Sequence, residues 1–119
     1  MKILHIITNL NLGGAEVQLY RIVKNFKTED QIKVISLLSM GDVGERLIES
    51  GIEVSIINFS KKRFFLFSFL KLCMNISGFK PDIVHTWMYH ANVIGGLAAK
   101  VARVKDIFWS IHHNDLSTL

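Results

Sequence analysis

The sequence predicts an open α/β sheet wound on both sides, and three observations lead there. Five short runs rich in Ile, Val, Leu and Phe alternate with stretches of helical periodicity. Those runs are apolar on both faces, which suits a mainly parallel sheet covered by helices above and below; a sheet with one wet face would alternate more cleanly. The joints carry glycines and the single proline. At 119 residues, half of them apolar and a fifth charged, the chain has core material for one domain, 1–119, with no linker and no internal repeat.

The first strand runs from Lys2 to Thr8. The helix after it, Ala15 to Phe26, sets Leu19, Ile22, Val23 and Phe26 at helical spacing, with Arg21, Lys24 and Asn25 on other faces. Lys33 to Leu38 is the second strand. A short helix then opens with Asp42 as N-cap and Glu45 three residues on, and Gly51 stops it. Glu53 to Asn58 is the third strand. Lys61-Lys62-Arg63 leads into a helix from about Phe64 to Ser77, apolar nearly all round, which ends ahead of Gly78 and Pro81. The fourth strand, Asp82 to Trp87, precedes a helix from about His90 to Arg103. Its Gly95, Gly96, Ala98, Ala99 and Ala102 let the backbone lie close to the sheet, and Val93, Ile94, Leu97 and Val101 are expected as its buried stripe. Ile107 to His112 is the fifth strand. Strand and helix repeated with right-handed crossovers make a doubly wound, Rossmann-like sheet of about five strands. Ligands of such sheets sit outside the carboxyl ends of the strands, so functional residues are expected just after Thr8, Leu38, Asn58, Trp87 and His112.

Composition narrows the chemistry. A formal charge of +4 favours anionic ligands or lipid head groups and calls for no nucleic acid. The lone cysteine, Cys73, cannot form an internal disulfide, and no secretory signal is evident at the start, so a reducing cytoplasm is the expected home. Lys71 interrupts the longest apolar run, Phe64 to Met74, well short of the ~18 residues of a spanning helix. Lys61-Lys62-Arg63 followed by Phe64-Phe65-Leu66-Phe67 admits two readings. It is a basic loop entering a buried helix, the favoured one, or a peripheral contact with the inner surface of an anionic membrane.

Three strand exits hold the candidate site residues. After the first strand, Thr8-Asn9-Leu10-Asn11-Leu12-Gly13-Gly14-Ala15-Glu16 places a glycine pair just before a helix. The pair allows close approach of a phosphate to free N–H groups, or simply supplies a tight turn. The loop has neither the G-x-G-x-x-G of a dinucleotide site nor a P-loop, and the second strand does not end in an acid that would hold a ribose, so a dehydrogenase is disfavoured. The exit of the fourth strand gathers His85, Trp87, Tyr89, His90 and Asn92, groups suited to a polyhydroxylated ligand; His85 is the one expected to be satisfied inside the strand. The fifth ends in Ser110-Ile111-His112-His113, where at most one imidazole faces a cleft and can hydrogen-bond or transfer a proton near neutrality. No metal-ligand spacing is present.

Taken in order, the Lys2-Ile3-Leu4-His5-Ile6-Ile7 strand, the Leu12-Gly13-Gly14-Ala15-Glu16 loop, Lys80-Pro81-Asp82-Ile83-Val84-His85, the His90 that opens a small-residue helix, and Ser110-Ile111-His112 resemble the N-terminal domain of group 4 glycosyltransferases of the GT-B architecture. The resemblance spans essentially the whole chain. It implies a retaining enzyme that moves a sugar from a UDP- or GDP-sugar to a glycan or lipid-linked acceptor, with no cofactor and no required metal. Gly13 and Gly14 would approach the donor phosphates, and His112 would sit near the transferred sugar as the catalytic residue. Asn9, Glu16, Trp87, Tyr89, His90 and Asn92 would shape the acceptor side. The family's donor-binding C-terminal domain has no counterpart in these residues, so the chain reads as a partial acceptor-side domain, a truncated product or one half of a split enzyme with a separate donor-binding chain. Alone it is expected to be inactive, because half a cleft cannot hold donor and acceptor at near-attack distance. The competing reading is a non-catalytic module that binds a glycan or nucleotide at the same rim. An epimerase-type relative is weaker still, for want of strand-end carboxylates.

Overall fold

The computed structural model describes residues 1–10, 14–24, 31–59 and 61–110. They form β1 (Lys2–Ile7), α1 (Gly14–Lys24), β2 (Gln31–Ser36), α2 (Gly41–Glu49), β3 (Glu53–Ile56), a 3-10 turn (Lys62–Phe64), α3 (Phe65–Phe79), β4 (Ile83–Trp87), α4 (Tyr89–Val101) and β5 (Asp106–Ser110). All strand pairs are parallel and the order is β3-β2-β1-β4-β5, the predicted Rossmann-like α/β sheet. Residues 111–112, expected in the fifth strand, lie outside the described residues, as does Phe26.

The apolar character of both strand faces has its counterpart in two cores. On one face Ile7, Val34 and Trp87 pack with Leu10, with Leu19 and Val23 of α1, and with Val43 and Leu47 of α2. On the other Leu4, Ile6, Ile35 and Val84 pack with Leu72 and Ile76 of α3 and with Ala91, Ala98 and Ala99 of α4. The path from β1 therefore turns to one face and the path from β4 to the other. The reversal falls between these two neighbouring strands, and there the crevice of a doubly wound sheet opens.

Helix ends follow local chemistry, with one correction. Asp42 is not the N-cap of α2. The chain enters through Met40 and Gly41, the latter at φ +60°, and the Leu10 carbonyl accepts the Val43 N–H at 3.1 Å, so backbone from the β1 exit takes the capping role. Asp42 lies in the first turn, where its charge suits the positive end of the helix. Gly51 does end α2: at φ +89° it lets Ile52 N–H reach the Leu47 carbonyl and its own N–H reach that of Ile48, a Schellman stop.

Two helices orient differently from expectation. In α4 the small residues win the inner face. A Cβ added at Gly95 would stand 3.0 Å from Ile6 Cγ2 and 3.1 Å from Thr86 Cγ2, so the helix lies directly on the sheet. At 100° per residue this turns Val93, Leu97 and Val101 outward, where all three are exposed; only Ile94 of the expected stripe packs inward. Helix α3 was expected to be buried after its basic lead. Its inner side is, through Ser68, Leu72 and Ile76, but Leu66, Phe67, Leu70 and Met74 face outward, because one helix can lay only one face on a sheet.

Candidate site at the switch between β1 and β4

The C-terminal ends of β1 and β4 flank the crevice, and hydrogen bonds tie them together. Thr8, just past β1, accepts the Ala91 N–H of the first turn of α4 on its hydroxyl at 3.2 Å, satisfying a helix donor from across the sheet. Within β4 the Thr86 hydroxyl donates to Asn92 Oδ1 at 2.7 Å, with the Phe108 carbonyl of β5 at 3.4 Å. Between strand and helix, Met88 sits at φ +75° and ψ 158°, a backbone region almost confined to glycine. Its carbonyl accepts the Asn92 N–H at 2.8 Å, closing the first turn of α4 over the bend. Rims held this way, with a strained residue at the exit, are where doubly wound sheets place ligand contacts.

Beneath the rim is a buried aromatic cluster. In parallel register His5 lies opposite His85 and Ile7 opposite Trp87, so His5, His85 and Trp87 share one sheet face. The His85 and Trp87 rings stack at 4.4 Å, and the Trp87 indole N–H donates to His5 Nδ1 at 3.0 Å. With Nδ1 accepting, the neutral ring carries its proton on Nε2, a buried nitrogen without a hydrogen-bond partner among the described residues. Burial, reinforced by the neighbouring His85, lowers the His5 pKa from 6.5 to about 3, and burial also lowers that of His85. Both rings are therefore neutral at pH 7, and the cluster carries no charge toward the rim.

The expected site residues divide accordingly. Asn9 is half-buried at the β1 exit, and His90 is exposed in the first turn of α4, both at the rim. Glu16 is buried in the first turn of α1. Gly14 is the first residue of α1. Asn92 is half-buried, its amide oxygen already engaged by Thr86. Trp87 departs from expectation: it is 1 % exposed, and its indole points into the sheet toward His5, so it supports the rim from below instead of meeting a ligand. The Tyr89 side chain, Gly13, His112 and His113 lie outside the described residues. His5, Thr8 and Thr86 were missed by sequence reasoning; once β1 and β4 are known to be neighbours, the strand parity of His5, His85 and Trp87 points to the cluster. Among the described residues no group of three His, Cys, Asp or Glu side chains could hold a metal ion. A shallow groove of about 450 Å³ opens at the opposite end of the sheet. There Lys33 is held by Glu53 at 3.0 Å and Asn75 at 3.4 Å, so its polar groups satisfy one another.

Comparison with known proteins agrees with this fold. The family model Glycosyltransferase Family 4 matches residues 12–118. The chain belongs to that family. No curated protein sequence matches it. Among solved structures it is similar to HepE of Anabaena, determined in complex with UDP, with a TM-score of 0.72 and 22% identity, covering 91% of this chain and 29% of that one. MurG of Acinetobacter baumannii gives a TM-score of 0.68 at 15% identity, covering 98% and 38%. The lipopolysaccharide outer core galactosyltransferase WaaB gives 0.64 at 20%, covering 92% and 32%. At such identities the three establish the fold, and the chain spans about a third of their length.

Proposed function

We propose that this family 4 chain is the acceptor-side domain of a retaining glycosyltransferase that moves a sugar from a UDP- or GDP-sugar to a glycan or lipid-linked acceptor without a required metal. The observation that carries the reading is the family match across 12–118, together with a rim at the switch between β1 and β4 where Asn9 follows one strand and His90 the other. UDP in the HepE structure supports the nucleotide-sugar donor. In this reading Gly13 and Gly14 admit the donor phosphates against the start of α1, and His112 lies beside the transferred sugar. His90, Tyr89 and Asn9 contact acceptor hydroxyls, Glu16 accepts a hydroxyl hydrogen from within, and Asn92 positions the first turn of α4 through Thr86. The work of the domain is orientation: a held acceptor hydroxyl attacks from the face the phosphate leaves, and the departing phosphate oxygen takes its proton. Donor binding falls to a segment or chain beyond these 119 residues, and the reaction belongs in the reducing cytoplasm, at or near the inner membrane surface. Among the described residues no helix is long and apolar enough to cross a membrane.

The competing reading is a module that binds glycan or nucleotide at the same rim without turnover. Titration with UDP, GDP and their sugars, followed by amide NMR, tests the site. Weak binding that perturbs Gly14, Asn9 and His90, with no sugar transfer by the chain alone, is the expected result. Perturbations confined to the Lys33 groove would overturn the assignment of the rim, and transfer by the purified chain alone would overturn the division of labour. Tight glycan binding indifferent to nucleotide would favour the second reading.

A further inference from the structure

Met88 breaks two local rules at one position. At φ +75° and ψ 158° it occupies a backbone region that glycine enters freely and other residues almost never do. It is also the N-cap of α4, where Ser, Thr, Asp, Asn or Gly is favoured, and its side chain makes no capping hydrogen bond. Glycine would satisfy both demands. The other two non-glycine residues at positive φ among the described residues, Lys80 and Arg103, lie at the C-terminal ends of α3 and α4, where left-handed backbone is the ordinary stop. Met88 stands at a helix start, beside the rim.

Its side chain supplies a reason. Met88 is half-buried and packs against the cluster of Trp87, Leu10 and Leu19 on the sheet face covered by α1 and α2. Ala91, three residues on, is fully buried in the core on the opposite face. The chain therefore crosses from one face to the other between these positions, and it is gripped on both. Beyond the bend the Ala91 N–H is held by Thr8, and Asn92 is held by Thr86. We propose that Met88 is a positioning residue whose side chain, anchored under α1 and α2, imposes the glycine-like bend and so fixes the direction in which the first turn of α4 leaves the sheet. The strain persists because packing on one face and hydrogen bonds on the other over-determine it. A glycine would relax the bend and leave the turn held from one face only. Resting on the transferase reading, the group aimed by this turn is His90, two residues past the anchor, and an acceptor contact needs such a group placed to within about 0.5 Å.

Three variants of the 119-residue chain test the proposal: Met88→Ala keeps the strain and loses the anchor, Met88→Gly loses both, and Met88→Leu keeps both. Glycine is already a better N-cap than alanine, by about threefold in the folding constant. Relief of strain adds about fivefold or more. In urea denaturation Met88→Gly should therefore exceed Met88→Ala by about fifteenfold or more. Amide hydrogen exchange then reads the bend itself. Relative to the amides of β1 and β4, the Ala91 and Asn92 N–H groups should exchange about tenfold faster or more in Met88→Gly than in the wild type, and Met88→Leu should restore their protection. A simple loss of packing would instead lower protection across the sheet. An advantage of glycine over alanine of about threefold or less, an unfolded Met88→Gly chain, wild-type protection of Ala91 and Asn92 in Met88→Gly, or equal loss of it in Met88→Leu would each overturn the proposal. No ligand enters the test, so failure of the anchor leaves the transferase reading standing, and failure of nucleotide binding leaves the anchor standing.

Discussion

The seam between β1 and β4 and the outer face of α3 break the rule of apolar inside, polar outside in opposite directions. At the seam His5, Thr86 and the Trp87 N–H are buried, and nearly every polar atom has a partner: Trp87 on His5, Thr86 on Asn92, Thr8 on the Ala91 N–H. On α3, Leu66, Phe67, Leu70 and Met74 lie outside over a well-packed inner face. Burying a polar group is tolerated when its hydrogen bonds are replaced, so the seam is a positioning device that holds two strand exits and α4 in one arrangement. Apolar area left exposed on a seated helix contributes nothing to folding, so the outer α3 face does not stabilise the domain.

The contrast is open to measurement. Trp87→Ala should have the largest effect, about 3–5 kcal/mol lost in urea denaturation, since it empties a buried site and leaves His5 Nδ1 unpaired; a loss near zero would show that the seam is not core. Gly95→Ala should cost roughly 1–3 kcal/mol, because the new methyl meets Ile6 and Thr86 at 3.0 to 3.1 Å. Seam stability should also depend on pH. The unfolded chain takes up a proton at His5 below about pH 6.5, whereas the folded ring resists until about pH 3. Stability therefore falls as pH drops through that window, by up to roughly 1.4 kcal/mol per pH unit, and is unaffected by this group above it. His85 acts in the same direction. Comparing the pH slope of unfolding in the wild type and in His5→Leu isolates the contribution: the variant should lose it whatever its stability at pH 7. Leu66→Gln should change stability least, within about 0.5 kcal/mol, a surface value for a residue that looks like core in sequence. A loss of several kcal/mol there would return α3 to the fully buried reading.

The place of the candidate rim was legible because the rule that locates it is topological. Asn9 and His90 follow strand exits, and strand exits can be read from apolar runs and the glycines and proline between them. Trp87 was placed wrongly because side-chain direction in a strand alternates. Whether position 87 points to the crevice or into the sheet depends on the partner strand, and its partner at position 5 lies 82 residues away. Helix α4 shows the same limit. Two candidate stripes, one of small residues and one of Val93, Leu97 and Val101, were both visible at helical spacing, and the sheet accepted the one that allowed closer approach.

What the sequence determined by itself is whatever is encoded locally or in order along the chain: α/β alternation, the parallel character of strands apolar on both faces, the Gly51 stop, and the succession of motifs that marks family 4. These depend on near neighbours and backbone preference, so a linear reading reaches them. The hydrogen bond from Trp87 to His5, the strained Met88 exit, the turn of α4 onto its small residues and the outward apolar face of α3 were decided only in three dimensions. Each depends on which distant surface is available to cover a side chain, and that is settled when the elements pack.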